Sequence, residues 1–155
     1  MVVPASAIER SMENEKETIY VIPVQGTTIS LMLAVADAPT AVEWYQRALG
    51  ATVLWSLGSV AGLEIAGAPF FVAEPANNGW ESPSKLGITS TRVEVFCDDP
   101  DLLIARALEA RGLGHVEDIQ NHKTLWGTHR QGGFTDPFGH IWLVGDKSPL
   151  LRYPH

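Results

Sequence analysis

A single cysteine, Cys97, in 155 residues excludes a disulfide within the chain and fits a reducing compartment. It stands beside an apolar stretch, so it reads as buried filler rather than a nucleophile. Basic residues are scarce: 11 Lys and Arg face 18 Asp and Glu, a formal net charge of −7. That excludes the basic face a nucleic-acid partner requires, and it is compatible with a cationic ligand. No apolar run approaches the roughly 20 residues that cross a bilayer. The first residues lack the basic-then-apolar layout of a secretory signal. A cytoplasmic protein with no membrane or nucleic-acid partner is therefore expected. No Gly-rich loop joins a strand to a helix, and no Gly-Lys-Ser/Thr occurs, so a nucleotide fingerprint is absent. No His-x-His or His-x3-His pair occurs either. His115, His122, His129 and His140 accordingly read as surface or loop-fixing residues rather than metal ligands.

What the chain does have is ordinary globular composition, 45% hydrophobic and 19% charged, at single-domain length. Residues 1–28 read as a tail with a charge run, Glu13-Asn14-Glu15-Lys16-Glu17, a weak helical turn and an edge strand over Thr18–Ile22 ended by Pro23. A strand follows from Ile29 to Val35. Asp37 or Thr40 then caps a helix from about Thr40 to Leu49, with Val42, Tyr45 and Leu49 as its apolar stripe and Gly50 as its stop. Three short strands are predicted over Thr52–Leu57, Gly62–Ala66 and Pro69–Glu74. Pro75–Leu86 is a loop by its Pro, Asn, Gly and Ser content, with Trp80 in its middle.

Then the plan repeats. A strand is predicted over Thr89–Phe96. A helix follows over Asp101–Arg111 on the face Leu103, Ile104, Ala107 and Leu108, and Gly112 ends it. Strands near Gly114–Ile119, Thr128–Phe134 and His140–Gly145 complete the second unit, and 147–155 form a polar tail. Asp37 and Asp98 stand 61 residues apart at matching corners, and Gly67 and Gly139 stand 72 apart before the last strands. An internal duplication of about 60 to 70 residues fits these spacings. The fold class is therefore α+β, with two βαβββ modules at 29–75 and 89–146. The turn Asp136-Pro137-Phe138-Gly139 feeds the apolar strand Ile141-Trp142-Leu143-Val144.

Four segments carry a family resemblance: Leu33-Ala34-Val35-Ala36-Asp37; Ala41-Val42-Glu43-Trp44-Tyr45-Gln46-Arg47-Ala48-Leu49-Gly50; Trp126-Gly127 with Arg130 and Gly132; and Asp136-Pro137-Phe138-Gly139-His140-Ile141-Trp142. Together they resemble the vicinal oxygen chelate superfamily of glyoxalase I, bleomycin-resistance proteins and dioxygenases, in its PhnB-like branch. The resemblance implies a cup-shaped half-barrel with the ligand site inside, built as a homodimer. It also implies four inward positions where metal-dependent members place His or Gln, Glu, His and Glu. By offset these fall on Ser30, Phe71, Thr91 and Leu143. Two hydroxyls and two hydrocarbons do not suit a divalent metal, so no metal, no cofactor and no catalytic residue is expected.

The expected function is binding or sequestration of a small, partly aromatic molecule, without chemistry. The expected site combines Ser30, Met32, Phe71, Thr91, Val93 and Leu143 inside the cup with Trp55, Trp80 and Trp126 at its rim. The alternative is a lyase, isomerase or dioxygenase of the glyoxalase type working from a non-standard site.

Overall fold

A computed structural model describes residues 20–152. The charge run of residues 13–17 and the start of the expected Thr18–Ile22 strand lie outside the described residues. Tyr20, Val21 and Ile22 are exposed and belong to no strand.

The first module runs β1 (Met32–Ala34), α1 (Ala38–Leu49), β2 (Thr52–Ser56), β3 (Val60–Ile65) and β4 (Ala68–Ala73). After a short helix α2 (Pro83–Leu86), the second runs β5 (Arg92–Phe96), α3 (Pro100–Ala110), β6 (Val116–Thr124), β7 (Gly127–Thr135) and β8 (Ile141–Gly145), followed by a 3-10 turn at Ser148–Leu150. Each module makes a four-stranded sheet, ordered β1-β4-β3-β2 and β5-β8-β7-β6. In both, the first strand pairs parallel to the last and the remaining neighbours are antiparallel. The doubled α+β plan read from the sequence is thus the observed one.

Two features escaped that reading. The loop expected over Pro75–Leu86 contains α2, one turn capped at its C-terminus by Gly87. The β6–β7 hairpin is longer than expected because Asn121, His122 and Lys123 continue the strand with polar side chains.

Both helices bury a face turned slightly from the expected one. On α1 the buried residues are Ala38, Ala41, Trp44, Tyr45, Ala48 and Leu49, with Val42 only partly covered. On α3 they are Pro100, Ile104, Ala107 and Ala110, while Leu108 is exposed. The physical reason is size: α1 and α3 pack on each other, and rows of alanine allow close approach where rows of leucine do not.

The two modules share one core. Trp44 of α1 donates from Nε1 to the Arg111 carbonyl at 2.8 Å. Its ring meets Phe134 and Phe138 edge-on. Tyr45 donates its hydroxyl to Asp136 Oδ2 at 2.5 Å, and Trp142 Nε1 donates to the same oxygen at 2.9 Å. Asp136 is 2% exposed, and its other oxygen accepts the backbone N–H groups of Phe138 and His140. The Asp-Pro-x-Gly turn therefore joins the modules as well as reversing the chain. Burial, then the neighbouring Asp136 charge, pushes the Tyr45 phenol well above its ordinary pKa.

Candidate functional site

Pairing register decides which side chains share a face. In the first sheet Leu33, Val72, Leu63, Phe70 and Ala61 turn to the helices and are buried. The opposite, open face takes Met32 and Phe71, which are register partners, and Gly62 and Trp55, which follow across β3 and β2. Trp55 and Phe71 lie with ring centroids 5.9 Å apart, tilted by 37°. Trp55 is 41% exposed and Met32 51% exposed. Gly62 permits this: a Cβ there would stand 2.8 Å from Trp55 Nε1 and 3.1 Å from Phe71 Cε1. Ser30, two residues before β1, spends its hydroxyl on the Pro69 carbonyl at 2.7 Å.

In the second sheet Trp142 and Val144 turn to the core, with Val93 and Val95 as their partners across β5. The open face of β5 and β8 is Arg92, Glu94, Phe96, Ile141, Leu143 and Gly145. Leu143, an expected site residue, lies on this open face. Thr91 and Val93 are corrected: Val93 packs against the core from the helix side, and Thr91 lies just before the strand. The cause is a one-residue slip. Aligning the two modules on Pro39 and Pro100 equates Asp37 with Asp98, whereas the helix N-caps are Asp37 and Asp99, 62 residues apart. With that offset Ser30 matches Arg92 and Met32 matches Glu94. The pairs Met32–Phe71 and Glu94–Leu143 confirm the alignment.

Thr91 and Val93 do line a cleft, together with Met32, Trp80 and His140. The cleft separates edge strands β1 and β5, has a volume of about 340 Å³, and is roofed by Trp80, Pro83 and Leu86 from the α2 segment. His140, 7% exposed, fixes its floor by bonding from Nε2 to the Ala34 carbonyl at 2.8 Å, tying β8's entry to β1. Met32, Trp80, Thr91 and Val93 are therefore brought together here. Trp55 and Phe71 form a separate aromatic ledge on the open face of the first sheet.

Trp126 is elsewhere. It sits at the β6–β7 turn and donates from Nε1 to Ser148 Oγ at 3.1 Å. Close by, His129 is 7% exposed rather than at the surface, and its Nδ1 bonds Asp146 Oδ1 at 2.7 Å. Asp146 also accepts the Arg130 and Ser148 backbone N–H groups, at 2.9 and 3.0 Å. Partial burial acts to raise the Asp146 pKa, but the bonds from Arg130, Ser148 and His129 outweigh it and hold the carboxyl well below the usual range. Sequence reasoning missed this pair. Its one visible signal was Gly145, a glycine at the end of an otherwise bulky strand, which leaves room for the imidazole: a Cβ there would lie 2.6 Å from His129 Cε1.

Cys97 is half-buried, and burial raises its thiol pKa, in keeping with a packing residue. Among the described residues, no three His, Cys, Asp or Glu side chains converge as a metal cluster. No described helix is long and apolar enough to cross a membrane.

Comparison with known proteins gives consistent matches. The family described as Glyoxalase/Bleomycin resistance protein/Dioxygenase superfamily matches residues 27–144. An uncharacterized protein of Mycobacterium bovis, Mb0911c, is 33% identical over 130 residues, covering 76% of this chain and 81% of its own. The crystal structure of TioX from Micromonospora sp. ML1 superposes with a TM-score of 0.57 at 26% identity, covering 78% of this chain and 98% of that one. The bleomycin-binding protein of Streptomyces verticillus, solved with copper(II)-bleomycin, gives 0.57 at 16% identity over 80% of this chain and 98% of its own.

Proposed function

The chain belongs to the glyoxalase/bleomycin resistance/dioxygenase superfamily, and we propose that within it this protein binds and holds a small, partly aromatic molecule. The observation that carries this reading is the Trp55–Phe71 ledge. Two large rings and Met32 stand together on an open sheet face, where an isolated domain has no structural need for them. A planar ligand stacked there gains roughly 0.5–1.5 kcal/mol per ring contact beyond burial. A cationic ligand gains comparably from the ring faces and from the acidic chain. The neighbouring cleft, with Trp80, Thr91 and Val93, supplies apolar wall and a hydroxyl for a substituent. The resistance and antibiotic-binding names among the structural neighbours agree with sequestration.

The metal-dependent chemistry of the superfamily fits these residues poorly. On the corrected register the four positions are Ser30, Phe71, Arg92 and Leu143: a committed hydroxyl, two hydrocarbons and a cation. No such set coordinates a divalent ion. A homodimer belongs to this reading too, because Tyr20, Val21, Ile22, Val24 and Ile29 are each more than half exposed in one short segment.

The test is a titration with the planar cation proflavine and with metal-free bleomycin, followed by tryptophan fluorescence and calorimetry. Saturable quenching that weakens in Trp55→Ala, with the fold intact by circular dichroism, supports the reading. Flat fluorescence and no heat across both probes overturns it. Light scattering of the purified chain decides the dimer.

A further inference from the structure

We infer that His129, oriented by Asp146, is a general base presented on the open face of the second sheet. It would serve a ligand carrying an acidic C–H, O–H or N–H group. The inference goes beyond ligand holding and stands independently of the aromatic ledge.

Three observations carry it. First, the Asp146 carboxylate is locked from several sides. Oδ2 takes the Arg130 N–H, and Oδ1 takes the Ser148 N–H and His129 Nδ1. An acceptor held this way forces the proton of a neutral His129 onto Nδ1, 2.7 Å away. Ser148 Oγ, which accepts Trp126 Nε1–H, is the longer contact of the same nitrogen at 3.3 Å. Second, the opposite nitrogen is therefore an unprotonated acceptor, and no hydrogen bond engages it among the described residues. Every buried side-chain nitrogen or oxygen among the described residues has a partner. Nε2 bonds none of them, so it is not sealed from the outside, although His129 as a whole is only 7% exposed. Third, the place is built for the ring. His129 shares its sheet face with Gln131, a strand neighbour two residues on, and its imidazole lies over Gly145 of β8, the register partner of Gln131. A Cβ on residue 145 would stand 2.6 Å from Cε1 and 2.9 Å from Nε2. Gly145 is not in a positive-φ conformation, so space rather than backbone geometry demands it.

A carboxylate behind an imidazole whose far nitrogen is open is the arrangement that general-base catalysis uses, and such a base typically contributes about 10²- to 10⁴-fold. His122, directly opposite His129 across the ladder, differs in what stands behind it: its Nε2 faces the Gln131 backbone carbonyl at 3.3 Å rather than a carboxylate.

The experiment uses 5-nitrobenzisoxazole, a planar probe that needs a base and nothing else. Nε2 takes the ring C–H proton, the freed electron pair completes a nitrile, and the N–O bond breaks to leave a phenolate on the same molecule. No co-reactant is consumed, and the phenolate is read by its colour. The full chain is expected to turn the probe over faster than free imidazole at equal concentration. His129→Gln should drop the rate about 100-fold or to background. Asp146→Asn should lose most of it, Asp146→Glu should recover part, and His115→Gln, an exposed histidine elsewhere, should keep it. Long-range nitrogen NMR of the unmodified protein supplies a readout that needs no variant: neutral His129 should carry its proton on Nδ1. A rate untouched by His129→Gln, or a His129 protonated on Nε2 when neutral, overturns the inference. Proflavine binding without benzisoxazole turnover would sink this inference alone and leave the ledge standing.

Discussion

Gly62→Ala separates the aromatic ledge from the stability of the sheet beneath it. The backbone at Gly62 is ordinary strand, so alanine fits the chain path without strain. Removing a mid-strand glycine favours folding by about 0.4–1 kcal/mol through the unfolded chain. Against that, the new methyl would lie 2.8 Å from Trp55 Nε1 and 2.9 Å from Cε2. The backbone of a central strand does not yield, but Trp55 is 41% exposed, and its ring can swing outward. That forfeits the Trp55–Phe71 contact, roughly 0.5–1.5 kcal/mol. The two effects nearly cancel, so urea unfolding should shift by no more than about 1 kcal/mol in either direction. Ligand affinity has no such compensation. Losing one stacked ring contact of that size weakens binding about 2- to 12-fold. The assay is paired: chemical unfolding, and proflavine titration by fluorescence. Unchanged affinity with a displaced Trp55 emission would refute the role given to the ledge. A large loss of stability would refute the claim that the ring, rather than the backbone, gives way.

Asp136→Ala strands two buried side-chain donors, Tyr45 O–H and Trp142 N–H, at about 1–3 kcal/mol each, besides the backbone N–H groups of Phe138 and His140. The side-chain share alone, roughly 2–6 kcal/mol, should show as a large drop in the urea midpoint, because domains of this kind hold only about 5–15 kcal/mol in all. Tyr45 should stay silent in an alkaline absorbance titration until the protein unfolds. Its folded pKa is raised, so the associated stability is complete below about pH 10 and lost as pH climbs beyond that value. Asp146 has the opposite sign. Its folded pKa is depressed, so its contribution is present above about pH 4 and disappears as acid protonates it, and Asp146→Asn should flatten the acid limb of stability against pH. Gly145→Ala should push the His129 ring off β8 and lower benzisoxazole turnover while leaving proflavine binding in place.

How much of this was legible in the sequence depends on what each signal measures. Local chemistry was readable: Asp37 at a helix start, Gly50 at a helix end and Asp-Pro-x-Gly before β8 all describe a few neighbouring residues, and the elements follow from them. Strand alternation was readable too, as the burial of Trp142 and Val144 shows. The phase between the modules was not. A strand shifted by one residue exchanges its faces completely, and the second corner carries two aspartates, Asp98 and Asp99, where the first carries only Asp37. Choosing the wrong one sent Thr91 and Val93 inward and hid Arg92 and Glu94. Helix faces failed more mildly for a related reason: Leu108 is as apolar as Ile104, and only the approach of α1 decides which is covered.

The His129–Asp146 pair marks a different limit. The residues are 17 apart, on a strand and in the loop beyond the next strand, and no spacing rule joins them. Their partnership arises because β7 and β8 are antiparallel neighbours, so Arg130 and Asp146 close the end of one ladder and bring the imidazole against the carboxylate. A search for His-x-His or His-x3-His assumes that chemistry comes from one segment, whereas a sheet assembles it across strands. In this chain the cross-strand clue is an absence of side chain. Gly62 and Gly145 sit where a bulky strand residue would otherwise belong, and each lies beneath a ring that the fold presents on an open face. The other mid-strand glycines without positive φ, Gly132 and Gly133, lie against Ile104 and neighbouring backbone, whereas Gly62 and Gly145 each make room for a ring, which is what distinguishes them.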